Sequence, residues 1–191
     1  MGFFTETRLH FGNSILLKKA SKLVRKPYYR NFSGIRNIGI VWDASKTNQF
    51  ASLSKFRQKM SERNIDVNIL GYYSGKELPD EYTAIRYLTC FRKKEVNLFY
   101  IPESPEVNKF VNKSFSILID INFDKLFPLT CIAVLSRAAF KVGLLDQEND
   151  VHTFDLMMEL KKPVNVDDYL THVINYLEMI NAESAVHTVT L

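Results

Sequence analysis

The chain has 191 residues, 46% of them hydrophobic and 24% charged, a composition that excludes a disordered or fibrous polymer and suits one compact domain with an extension. Its net charge of +4 is unevenly placed: residues 1–36 hold eight of the 25 Lys and Arg but one of the 21 Asp and Glu, or +7, which leaves 17 basic and 20 acidic residues, or −3, for residues 37–191. That polarity points to a mildly acidic body carrying an arm for a polyanion or an anionic surface.

Residues 1–12 show no hydrophobic period and read as extended. Asn13 suits the N-cap of a helix over Ser14–Lys26, with Pro27 ending it. On that helix Leu16, Leu17, Ala20, Leu23 and Val24 would share one face, fit for packing on a neighbouring protein or back on the body. Lys18, Lys19, Lys22, Arg25 and Lys26 would share the other. Pro27–Gly34 reads as an irregular linker in which Tyr28, Tyr29 and Phe32 are set among Lys26, Arg30 and Arg36. These residues, 1–34, form the expected arm.

The body is expected over residues 35–183. Strands are read at Ile35–Trp42, Ile65–Tyr73, Ile85–Phe91, Phe115–Ile121, Phe140–Leu145 and Phe154–Leu160. Helices are read at Thr47–Arg63, Glu106–Asn112, Leu126–Arg137 and Asp167–Asn181, with an acidic turn at Asp146–Asp150 and a break at Lys161-Lys162-Pro163. Strand–helix–strand units imply parallel pairing. The expected fold is therefore α/β, a three-layer Rossmann-like sandwich with a mainly parallel sheet of five or six strands, followed by a tail over 184–191.

A doubly wound sheet places ligands at the carboxyl ends of its strands. After the first strand come Asp43 and Lys46, but neither GxGxxG nor GxxxxGK[ST] occurs anywhere, so a phosphate cradle is lacking. Asp43 has no second aspartate two residues on, and its plainer role is capping the next helix. Asp120, Asn122 and Asp124 could hold a metal or act as an acid–base pair, against the plainer roles of turn and cap. His10, His152, His172 and His187 are scattered, and GxSxG is absent. No catalytic residue, metal or cofactor is assigned, and no small-molecule substrate is identified. Cys90 and Cys131 lack metal-ligand spacing and read as buried free thiols in a reducing cytoplasm. No apolar run reaches the roughly 20 residues of a membrane-spanning helix.

The arm carries the expectation of function. No acid stands between Thr7 and Trp42. Cations neutralise phosphates with salt-sensitive affinity, and aromatics stack on unpaired bases. The expectation is a non-enzymatic cytoplasmic protein that attaches to structured RNA, ribosomal RNA above all, beside neighbouring ribosomal proteins. Its RNA contacts would be Lys18, Lys19, Lys22, Arg25, Lys26, Tyr28, Tyr29, Arg30 and Arg36. An anionic membrane surface is the rival for the arm. A small Rossmann-like enzyme, or a nucleotide- or sugar-nucleotide-binding protein, using Asp43, Lys46, Asp120 and Asp124 around the strand ends is the alternative for the body.

Phe115-Ser116-Ile117-Leu118-Ile119-Asp120-Ile121-Asn122, Phe127-Pro128-Leu129, Phe140-Lys141-Val142-Gly143, Phe154–Leu160 and Tyr176-Leu177 resemble an uncharacterised family of Bacteroidota proteins, over about residues 35–180. That resemblance implies a small α/β domain with a basic extension and brings no active site. The same block is similar to part of the acceptor domain of lipopolysaccharide heptosyltransferases, which bind a nucleotide sugar with a second domain. It implies shared architecture.

Overall fold

The computed structural model describes residues 3–29, 31–145, 153–160 and 163–180. Arg30, the acidic turn at Asp146–Asp150, His152, Lys161, Lys162 and the tail over 184–191 lie outside the described residues.

The strands are β1 (Asn37–Asp43), β2 (Asp66–Tyr73), β3 (Leu88–Arg92), β4 (Ile117–Asp120), β5 (Phe140–Leu144) and β6 (Leu156–Met158). They form one sheet in the order β3-β2-β1-β4-β5-β6, and every neighbouring pair is parallel. From Ile38 to Asp43 every residue of β1 is buried, as a central strand covered on both faces requires.

One face of the sheet is covered by α2 (Phe50–Glu62) and α6 (Val166–Met179), whose Leu53, Phe56, Met60, Tyr169, Leu170, Val173 and Leu177 pack on Ile38, Ile40, Trp42, Ile117 and Ile119. The other face carries α4 (Pro105–Asn112) and α5 (Phe127–Leu135), with Val107, Phe110, Leu129, Ile132 and Ala133 against Val41, Leu70 and Leu118. A single turn, α3 (Asp80–Thr83), precedes β3. The three-layer α/β expectation is met, with the doubly wound strand order of Rossmann-like folds.

Local signals explain where the helices start and stop. Ser104 accepts a hydrogen bond from the Val107 amide at 3.2 Å ahead of Pro105, which opens α4. Asn165 accepts from the amides of Asp167 and Asp168 at the start of α6. Beyond α2, Asn64 takes a left-handed φ of 57°, and the Ile65 amide reaches back to the Met60 carbonyl at 2.9 Å. At the far end of α5 the buried Lys141 ammonium donates to the carbonyls of Ala133 (2.7 Å) and Val134 (2.9 Å).

Candidate nucleic-acid interface

The arm corrects one expectation. The helix read over Ser14–Lys26 is found instead as α1 over Phe3–Ala20, so residues 3–12 are helical rather than extended and Pro27 does not end it. Its inward stripe is Thr5, Leu9, Gly12, Leu16 and Ala20, spaced three and four residues apart. Gly12 is buried, and a Cβ there would collide with the Phe99 carbonyl and lie 3.0 Å from the Phe127 ring. The missing side chain is what lets α1 lie close to α5. Leu16 then joins Ile101, Cys131 and Val134 in a small cluster behind α5. Burying that one leucine contributes about 2 kcal/mol.

After Ala20 the chain leaves the helix because its next residues make contacts that a continuing helix could not. The Arg25 guanidinium grips Asp155 with two bonds of 2.7 Å, on a pair whose side chains are only 16% and 11% exposed. Asp155 also accepts from the Lys141 amide at 2.8 Å, tying the pair to β5. The Tyr28 amide donates to the Ala139 carbonyl at 2.9 Å. The Tyr29 hydroxyl donates to the Leu177 carbonyl, and its ring lies 5.2 Å from that of Phe140. Burial, then Glu178, push the Tyr29 phenol up to about 12, so it stays a donor. The segment is thereby clamped across the amino-terminal end of β5.

These contacts divide the residues expected to meet RNA. Lys18, Lys19, Lys22 and Lys26 are exposed, and none forms an ion pair among the described residues. Tyr28 is 62% exposed. Arg25 and Tyr29 are turned onto the body instead. Arg36 is exposed and donates to the Ser33 carbonyl at 2.9 Å, lining a groove of about 330 Å³ with Phe32, Arg63 and Glu178. Of the apolar residues read as a packing face, Leu16 is buried and Ala20 and Leu23 are half-buried, while Leu17 and Val24 are exposed.

The second candidate region is the switch point, where the carboxyl ends of β1 and β4 meet and the strand order reverses. Register places Val41 opposite Asp120, with Asp43 two residues further along β1. Asp43 accepts from the Ser45 amide at 3.0 Å, and so holds its own turn rather than capping α2, which has no side-chain cap. Asp120 accepts from the Asn122 amide at 3.2 Å, and Asn122 in turn accepts from the Leu126 amide at 2.8 Å, just before α5. Lys46 and Asp124 pair at 2.8 Å, joining the β1 loop to the β4 loop.

Asp43, Lys46, Asp120 and Asp124 thus lie at the neighbouring ends of β1 and β4 and in their loops, and buried tyrosines that the sequence did not single out stand beside them. Tyr72 is raised by burial, and then by Asp43 and Tyr100. Burial pushes the Asp120 carboxyl up to about 7, against the amide of Asn122. The Tyr169 hydroxyl on α6, raised by burial and then by Asp120, has no hydrogen-bond partner among the described residues. Chemically, the switch point offers carboxylates and phenols, with its lysine already paired and no glycine-rich run of amides. It is poorly suited to a phosphate.

A further groove of about 360 Å³ runs between α2 and α6 over Phe56, Met60, Leu170 and Ile174, and shares Arg63 and Glu178 with the groove beside Arg36. Among the described residues no group of three or more His, Cys, Asp or Glu could hold a metal, and no helix is long and apolar enough to cross a membrane. Cys131 is buried and Cys90 partly so; both thiols are free, and burial pushes each up to about 12.

Strand order and layering define an α/β protein of the doubly wound, Rossmann-like class, with a basic amino-terminal arm packed on its outer layer. The profile of DUF6913, a family of unknown function, matches residues 8–180, and the chain belongs to that family. The match begins inside α1, so the family pattern takes in arm and body together. Among curated proteins no relative of the chain was found.

Proposed function

We propose that this is a non-enzymatic, cytoplasmic RNA-associated protein, held on structured RNA of the ribosome by the lysines of its arm. The observation that carries the reading is the free state of Lys18, Lys19, Lys22 and Lys26. All four are exposed, without ion pairs among the described residues, in a stretch with no acid from Thr7 to Trp42. Each lysine neutralises a phosphate and releases a counterion, which makes attachment steeply salt-dependent. The −3 body is repelled by the same RNA and stays at its periphery. Leu17 and Val24, exposed beside the lysines, are left for a neighbouring protein.

The nucleotide-binding alternative draws less support, because the switch point's lysine is already paired with Asp124 and no glycine-rich run of amides stands there to take a phosphate. The test is sedimentation of the tagged full chain from a gentle lysate, at low and high salt. Because Leu16, Arg25 and Tyr29 are built into the body, the control is charge reversal of the four lysines and not removal of the arm. Co-migration with a ribosomal subunit at low salt, lost at high salt and in the Lys→Glu variant, supports the proposal. Wild-type protein at the top of the low-salt gradient defeats it.

A further inference from the structure

The segment after α1 does more than carry charge. Burial is uneven along it: Leu23 and Arg25 are half-buried and Tyr29 is turned onto the body, whereas Val24, at 93% exposure, and Lys26, Pro27 and Tyr28 are exposed. Half-buried and exposed residues so interleaved mark a non-helical chain laid along a surface, with part of its side chains left outward. The inward residues are fixed by the Arg25–Asp155 pair and by the bond from Tyr29 to the Leu177 carbonyl, and the Tyr28 backbone is fixed by its bond to Ala139. The outward side chains are thus presented from an anchored backbone, and the Tyr28 ring needs little further ordering to receive a flat partner. Lys22 and Lys26 stand on the amino-terminal side of that ring, with no acid nearby in the sequence.

Resting on the RNA reading above, we infer that Lys22–Tyr28 takes unpaired nucleotides, with a base stacked on Tyr28 and the adjoining phosphates on Lys22 and Lys26. A duplex is the wrong ligand for this surface. Its base faces are already stacked on one another, and the segment is neither a helix nor a two-stranded ribbon able to enter a groove. A single strand, a loop or a bulge offers a free base face together with its phosphates, whatever its sequence.

The experiment is fluorescence anisotropy of the full chain with an oligouridine strand and with a blunt RNA duplex of equal phosphate count, across a salt series. The single strand is expected to bind more tightly. Tyr28→Ala weakens it roughly tenfold without changing the salt slope, and leaves the duplex unaffected. Tyr28→Phe, which keeps the ring, retains the wild-type affinity. Lys26→Ala weakens both ligands and lowers the salt slope by about one ion per lysine. Thermal unfolding of each variant checks that the exposed substitutions leave the fold intact. Equal or tighter binding of the duplex, or no effect of Tyr28→Ala, overturns this inference while the lysine-based reading stands. Binding of neither RNA overturns both, as does retention on anionic vesicles alone.

Discussion

Four ionisable side chains at the switch point and four in the arm make a direct contrast. Asp43 and Asp120 are buried and bonded to neighbouring amides, and Lys46 and Asp124 are bonded to each other. Lys18, Lys19, Lys22 and Lys26 are exposed and unpaired among the described residues. Both regions belong to the same family pattern and both are rich in charge. The difference lies in whether the protein itself answers that charge. Where it does, the groups act as structure; where it does not, they remain available to a partner.

The largest effect expected from breaking this contrast is at the arm. Replacing Lys18, Lys19, Lys22 and Lys26 together by Glu should lower RNA affinity by roughly a thousandfold or more near physiological salt, since four phosphate contacts become four repulsions. Chemical denaturation of the same variant should show unfolding unchanged within about 1 kcal/mol, because none of the four is buried. A large loss of stability would mean that these lysines belong to the folded body after all.

Arg25 sharpens the contrast from the other side, as a cation of the arm that the body does answer. Arg25→Ala should cost about 3 kcal/mol in denaturant unfolding, because it leaves the partly buried Asp155 without its paired cation and with only the Lys141 amide as donor. Its effect on RNA affinity should be small beside that of Lys26→Ala, provided that affinity is read at a temperature where the variant stays folded. An Arg25→Ala variant of wild-type stability would place this residue among the free cations.

At the switch point the test is pH. The folded chain holds the Asp120 proton up to about pH 7, whereas an unfolded aspartate gives it up near its ordinary value of 3.8. In that window the folded state binds more protons at Asp120, so the stability contributed by this group falls as pH rises from about 4 to 7 and is constant above. The contribution is on the order of 4 kcal/mol. Asp120→Asn should abolish that decline, and should be more stable than the wild type at pH 8 in guanidinium titrations. A pH profile identical in both chains would show that Asp120 is not held protonated.

The smallest effect is expected at Lys46. Its pair with Asp124 is about half exposed, so Lys46→Ala should leave stability nearly unchanged, with any remainder screened by added salt. A larger loss, measured in the same titration, would mean that this pair holds the two loops together.

Much of this molecule could be read from the sequence because its signals are local and redundant. The strand runs from Ile38 to Trp42, Ile69 to Tyr72 and Ile117 to Ile119 are apolar on both faces, which is the mark of a buried parallel sheet. Alternating helices between them then leave few topologies open. Charge asymmetry likewise found the arm, and strand ends brought Asp43, Lys46, Asp120 and Asp124 to one place. The amino-terminal half of α1 was hidden because its docking stripe includes Thr5 and Gly12, which carry no hydrophobic period. Gly12 is informative only once the Phe99 carbonyl and the Phe127 ring stand opposite it.

The sequence alone determined the α/β class, the approximate bounds of the body's elements and the excess of cations in the first fifth of the chain. Only the tertiary structure decided which cations are free, because that depends on partners far away in the chain. Asp155 lies 130 residues from Arg25, and Leu177 lies 148 from Tyr29. No periodicity within the arm encodes them. The partitioning of like residues into clamp and contact, Tyr29 against Tyr28 and Arg25 against Lys26, is settled by which side of an anchored backbone faces water.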